Sequence, residues 1–296
     1  MAKFHQTIIL LLITCSLQAQ NMQSNYHQEI EEWHKKRVTN LKSETGWLTV
    51  SGLFWLDEGI NTVGSSKENK IKFPKNTAAE KLGNFTLNSG TVTINVEPGE
   101  LVTSGTTNIS AAIIFSDSIE EQEIILTHRD LRFFIIKRGT KIGLRLRDLK
   151  SPARINFTQI ERFPIDTMYQ VKARFEAAKA NKTIPIHDVI GQTTETAFAG
   201  TLYFEVKGKK LQLDATLEGD NLFIVFADET SGNSTYGGGR FLYAKVPTSG
   251  NQVTLDFNKA YNPPCAFTDF ATCPLPPDQN KMPIEILAGE KKYGRH

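Results

Sequence analysis

Cysteine is scarce, and its scarcity is the first constraint. Three cysteines in 296 residues are too few for the disulfide frameworks that small secreted domains use in place of a core. The fold must therefore be held by burial. Charge of one sign is equally wanting, because 34 Lys and Arg oppose 32 Asp and Glu along the whole chain. No basic block exceeds Lys35-Lys36-Arg37, so attraction to a polyanion is weak and nucleic acid drops out of the partner classes. That triplet reads as a solvated helix face. No apolar run reaches the roughly 18 residues of a membrane span. The Gly-x-Ser-x-Gly, His-Glu-x-x-His and Ser-x-x-Lys signatures are missing, which excludes the hydrolase families that rely on them. The six histidines do not cluster, so the sequence supplies no metal set and implies no cofactor.

What is present begins with an export leader. Lys3 precedes an apolar run from Thr7 to Leu17, charged and then too short to cross a bilayer, which is the build of a signal peptide over residues 1–19. Leu17-Gln18-Ala19 places a small residue at the cleavage point and makes Gln20 the new N-terminus. Losing Lys3 with the leader lowers the formal net charge from +2 to +1. The expected location is periplasmic or secreted, with no transmembrane span in the mature chain. An alternative makes Cys15 the lipidated first residue of a lipoprotein, because Leu12-Ile13-Thr14-Cys15 loosely follows a lipobox, although Thr14 fits poorly.

One amphipathic helix is expected within residues 20–45. Tyr26, Ile30, Trp33, Val38 and Leu41 recur at helical spacing with charges between them, so one stripe faces a sheet. Beyond Gly46 the period falls to two. Trp47–Val50, Lys70–Phe73, Thr91–Val96 and Lys141–Arg147 read as half-buried strands, and Asn88-Ser89-Gly90 and Glu97-Pro98-Gly99 as turns. The later part continues with Thr201–Val206, Lys210–Asp214, Asn221–Phe226, Arg240–Val246, Asn251–Phe257 and Pro283–Leu287. Tyr169–Ala177 alternates as a strand despite its alanines. The expected fold is mainly β, an antiparallel sandwich or barrel with one N-terminal amphipathic helix. The β-rich chain divides into residues 46–164 and 165–296, or forms one continuous domain.

The chemistry-bearing stretch runs from Phe226 to Tyr293. It contains Gly237-Gly238-Gly239-Arg240, the run Asp256-Phe-Asn258-Lys-Ala-Tyr261-Asn262-Pro-Pro-Cys265, then Ala-Thr-Cys273-Pro-Leu-Pro-Pro and Ala-Gly-Glu290-Lys. These runs, with Gly46-Trp47-Leu48 and Gly52-Leu-Phe-Trp-Leu56 upstream, closely resemble the bacterial and archaeal family of domain of unknown function 1684 (DUF1684), over most of the mature chain. The resemblance implies a functional surface and no mechanism. Read from the residues, Arg240, Asp256, Asn258, Tyr261 and Asn262 are candidate ligand-binding groups at neighbouring strand ends. Arg240 would clamp a carboxylate or phosphate, while the two asparagines orient it. The competing reading has Asp256 paired with Arg240 and the asparagines satisfying turn backbone. The glycine triplet lacks the Gly-Lys-Ser/Thr ending of a phosphate loop and reads as a turn.

Cys265 and Cys273 allow three readings. A disulfide fits export and would stabilise by about 2–3 kcal/mol. Zinc would need two further ligands, for which His128 and His187 are the candidates. A nucleophilic thiol needs a partner base. Trp47 and Trp55 are core residues or stack a ligand. Two functions survive: an envelope protein that binds a small anionic ligand or a partner protein, and a hydrolase using Asp256 or Glu290 as base with Arg240 stabilising negative charge. Binding is favoured, since no nucleophile, base and orienting group form a set. Export is open to direct measurement. Mature protein from the periplasmic or secreted fraction should begin at Gln20, and a cytoplasmic product retaining Met1 would refute the leader.

Overall fold

The computed structural model describes residues 23–118 and 123–294. The leader, Cys15 and Gln20 lie outside the described residues. A helix over residues 23–42, α1, opens the described chain. Among the described residues no helix is long and apolar enough to cross a membrane.

The first β lobe is a two-sheet sandwich. One sheet joins β1 (Val50–Trp55), β11 (Lys141–Asp148), β10 (Leu131–Arg138), β9 (Leu126–His128), β6 (Thr103–Ser104) and β7 (Thr107–Asn108), in that order. The other runs β3 (Ile71–Lys72), β2 (Gly59–Gly64), β4 (Gly83–Asn88), β5 (Thr91–Val96), β8 (Ala111–Ser116). Strand alternation decides what fills the space between them. Ile142, Leu144 and Leu146 of β11 join Phe85, Phe133 and Ile94 in the core, each worth ~1.5–3 kcal/mol on full burial. Gly143, Arg145 and Arg147 therefore face the opposite side. The β4–β5 hairpin turns at Ser89 and Gly90, both at positive φ (46° and 82°), as a tight hairpin with matching twist requires.

The second lobe is a single seven-stranded sheet, all its pairings antiparallel, curled into a nearly closed barrel. Its order is β17 (Arg240–Lys245), β16 (Asn221–Phe226), β15 (Lys209–Glu218), β14 (Thr193–Val206), β12 (Gln170–Ala177), β18 (Gln252–Asp256), with β13 (Thr183–His187) added beside the first part of β14. The chain closes its own seam. After β18 it makes one 3-10 turn, Phe257–Lys259, and Tyr261 then pairs with Phe241 of β17 through two backbone hydrogen bonds of 2.9 and 3.0 Å. The motif run from Asp256 to Asn262 thus joins the two sheet edges, which would otherwise expose unpaired backbone.

Three expected strands are corrected. Trp47–Thr49 forms a 3-10 turn, and the strand begins at Val50. Lys70–Phe73 contracts to the two residues of β3. Pro283–Leu287 is no strand at all, although Ile284 and Ile286 are buried in the barrel core with Met282 and Ala288. Its period-two burial is real, but the carbonyls of Ile286 and Ala288 turn to the Arg240 guanidinium in place of a neighbouring strand.

Gly289 fixes the end of this segment. Its φ is +77°, and an added Cβ would stand 2.4 Å from the Ala260 oxygen and 2.7 Å from that of Phe257. Gly289→Ala should therefore cost roughly 1–3 kcal/mol, read as a lower midpoint in urea denaturation. An unchanged midpoint would show that the seam tolerates a side chain.

Candidate functional site: a cationic aromatic cleft beneath helix α1

Helix α1 carries Tyr26, Ile30, Trp33, Arg37 and Leu41 at spacings of four, three, four and four residues, which places them along one face. Ile30 and Leu41 are buried. The polar members of the stripe grip the barrel seam. Tyr26 Oη donates to Asp256 Oδ1 at 2.8 Å and accepts from Asn258 Nδ2 at 2.8 Å. Burial, then the bond to Asp256, pushes the Tyr26 pKa well up. Asp256 Oδ1 also caps the turn through the Asn258 amide at 3.2 Å, while Asn258 Nδ2 reaches the Asp166 carbonyl at 2.8 Å.

Arg37 makes the second grip. Its Nε meets Glu290 Oε1 at 3.2 Å, its Nη2 donates to the Asn262 carbonyl at 2.9 Å, and its guanidinium carbon stands 4.6 Å from the Tyr261 ring centroid. Glu290 is almost wholly buried, at 1% exposure. Its other oxygen accepts the Asn262 amide at 2.7 Å. Burial raises the Glu290 pKa, while Arg37 and the Asn262 amide oppose the rise. The basic triplet was expected to be solvated, and Arg37 is the exception. Its place four residues after Trp33 and four before Leu41 is the sequence signal that identifies it.

Arg240 belongs to a separate network. It is fully buried, its Nη2 pairs with Asp228 Oδ2 at 2.6 Å and donates to Ile286 O at 3.0 Å, and its Nη1 bonds the Ala288 carbonyl. Desolvation lowers its pKa against the pull of Asp228. Asp228 is fixed in turn by the Thr230 amide at 2.7 Å and the Thr230 hydroxyl at 2.5 Å. The expected set is therefore divided in three. Asp256 and Asn258 meet at Tyr26, Tyr261, Asn262 and Glu290 meet at Arg37, and Arg240 meets Asp228, with no hydrogen bond or ion pair joining Arg240 to Asp256. Sequence reasoning missed Asp228, which opens the chemistry-bearing stretch but carries no local signal that pairs it with Arg240.

Outside the seam, the face of β16 and β17 turned away from the core forms an open cleft. Its larger part, about 420 Å³, is lined by Trp47, Arg138, Phe223, Tyr243, Thr272 and Cys273, among others. A contiguous part of about 340 Å³ continues under α1 past Trp33, Lys36, Asn40 and Lys259. Arg37, Tyr243 and Tyr261 border both parts. The Tyr243 and Tyr261 rings lie within 16° of parallel at 6.3 Å, with Phe223 5.0 Å from Tyr243. Burial pushes the Tyr261 pKa up to about 12, so both walls are neutral aromatics and the charge comes from Arg37, Lys36, Lys259 and Arg138. Glu218 is the acid at the rim, where its carboxylate accepts the Tyr243 hydroxyl.

Cys265 and Cys273 stand side by side at the cleft margin as free thiols, with the Cys265 amide donating to Cys273 Sγ at 3.1 Å. Hydrogen bonding from Cys273 lowers the Cys265 pKa, and the same bond raises that of Cys273. His128 Nδ1 bonds the Leu101 carbonyl at 2.8 Å and His187 Nδ1 the Thr193 hydroxyl at 2.7 Å. Among the described residues no three His, Cys, Asp or Glu side chains converge as a metal set.

Residues 155–291 match the family model described as "Protein of unknown function (DUF1684)". Over these residues the chain belongs to this family. The match leaves the upstream runs Gly46–Leu48 and Gly52–Leu56 outside it, and with them α1 and the first lobe. The chain is also similar to an uncharacterized protein from gene locus rrnAC0354 of Haloarcula marismortui, solved by NMR in solution. That similarity is 31% identity over 48% of this chain and 81% of that one, with a TM-score of 0.41. No curated protein matches. The cleft is thus composite, with Tyr243, Tyr261 and Cys273 from the matched region and Arg37, Trp47 and Arg138 from outside it.

The Arg240–Asp228 pair should behave as structure. Arg240→Met strands a buried carboxylate, so it should lose about 3–5 kcal/mol of folding stability in chemical denaturation. A loss below about 1 kcal/mol would contradict the buried pairing.

Proposed function

We propose that this protein is an exported envelope protein that binds a small anionic ligand with a flat apolar body in the cleft beneath α1. The observation that carries the reading is the placement of Arg37. Its Nε and Nη2 are committed to Glu290 and Asn262, which fixes the guanidinium over Tyr261 at the lining of the cleft, with Nη1 holding no hydrogen bond among the described residues. A cation held in place by buried partners loses little freedom when a ligand arrives. Hydrogen bonds to charged groups contribute about 1.5–3 kcal/mol each, and the near-parallel Tyr243 and Tyr261 rings supply stacking area for a planar body. The export part of the proposal rests on the leader of residues 1–19.

Binding is favoured over hydrolysis because the expected catalytic groups are engaged. Both oxygens of Glu290 and the Nη atoms of Arg240 hold the fold, and Asp256 Oδ1 serves Tyr26 and the Asn258 turn.

Calorimetry with phenyl phosphate, inorganic phosphate and phenol separates the contributions. Phenyl phosphate should bind more tightly than either half alone. Tyr243→Ala should weaken it between about twofold and tenfold, the worth of one aromatic pair, without lowering the melting temperature of the free protein by more than a few degrees. Equal binding of all three probes, or none of phenyl phosphate, would sink the reading.

A further inference from the structure

The two cysteines sit in a segment that needs no bridge. Between them, Ala266, Phe267 and Ala271 are buried, Thr268 Oγ1 donates to the Val50 carbonyl of the first lobe at 3.0 Å, and Arg145 reaches the Phe270 carbonyl. The two thiols lie within hydrogen-bonding reach of each other, and the Cys265 amide donates to Cys273 Sγ at 3.1 Å. A bond between them requires little backbone movement, so one fold accommodates both the dithiol and the disulfide.

Their surroundings differ in a useful way. Cys265 is partly exposed and Cys273 is buried at 4% exposure. Arg145, itself 5% exposed, lies close enough to act on both sulfurs and has no carboxylate partner among the described residues. Its guanidinium carbon rests 5.2 Å from the Trp47 ring centroid, and burial pushes its pKa down to about 10. A buried cation is costly, and a neighbouring thiolate, with a smaller contribution from Glu123, offsets that cost. Cys265 is the thiol held below its ordinary value, chiefly by hydrogen bonding to Cys273 and to a lesser degree by the charge of Arg145.

We propose that Cys265 and Cys273 form a thiol–disulfide exchange site that takes an accessible disulfide as its substrate. The Cys265 thiolate attacks one sulfur of the incoming disulfide, whose S–S bond breaks and expels the first thiolate, leaving a mixed disulfide on Cys265. Cys273 then gives up its proton, attacks Cys265 Sγ and expels the second thiolate. Two protein thiols are oxidised to one disulfide, the incoming disulfide is reduced to two thiols, and two electrons pass between them. Arg145 favours the attacking anion, and the partly exposed sulfur is the one a substrate meets first. The inference stands apart from ligand binding in the cleft, because it needs neither Tyr243 nor Arg37.

The test equilibrates the full mature protein in glutathione mixtures from fully reduced to fully oxidised, then alkylates and weighs it. The expected result is a single two-electron transition with the near-ultraviolet dichroism of the folded protein retained throughout. Cys273→Ser should trap one glutathionyl group on Cys265, whereas Cys265→Ser should do so at least tenfold more slowly. If either serine variant fails to fold, native alkylation of the reduced wild type decides the order, and Cys265 should react at least tenfold faster than Cys273. A bridge that survives every mixture until the protein is unfolded would make it a static staple and overturn the proposal. So would thiols that stay unlinked in fully oxidised glutathione, or a pair purified with bound metal.

Discussion

The Arg37–Glu290 pair is the contact on which the geometry of the cleft depends. Glu290 closes the barrel seam from inside, and a carboxylate so deeply buried takes up a proton unless a cation and donors face it. Arg37 is that cation, and it arrives on α1. Pairs of this kind often contribute little net stability compared with a well-packed apolar substitute. Their effect is on geometry, because the helix must bring Arg37 to Glu290 Oε1 and to the Asn262 carbonyl together. Once α1 is so placed, Trp33 and Lys36 form the wall opposite Tyr261, and Tyr26 closes over Asp256 and Asn258.

Arg240 solves a related problem at the same end of the barrel. The segment after Met282 lies over the core with its apolar side chains inward, yet it forms no ladder, so its carbonyls need donors. A guanidinium has five of them in one plane, enough to meet Ile286, Ala288 and the charge of Asp228 at once. Both arginines replace missing strand pairing at the seam.

The period-two pattern revealed most of the strands, because alternation reports directly on which face is buried. It failed at Pro283–Leu287, where burial alternates without a neighbouring strand, and at Trp47–Thr49, where the Thr49 hydroxyl bonds the Gly46 carbonyl at 2.7 Å and the chain turns. The site was legible in part. Asp256, Asn258, Asn262 and Glu290 stand out as polar residues among aromatics, but what they face is decided by α1, more than 200 residues earlier in sequence. Arg37 carried a local signal in its spacing. Asp228 carried none, since its role exists only after β16 and β17 bring it to Arg240.

Net charge misleads about this surface for a physical reason. A sum over the chain describes the field felt by a distant or extended partner, and near balance correctly weakens the case for a polyanion. A small ligand samples only a few ångströms, where it meets Lys36 and Arg138 together with Arg37 and Lys259, the last two held by Glu290 and by Glu29 and Asp256, while the carboxylate of Glu218 in the lining is occupied by Tyr243. Aromatic walls lower the local dielectric and strengthen each of those charges relative to water. The same chain can therefore be almost neutral overall and still gather four basic side chains around the cleft where its two lobes and α1 meet.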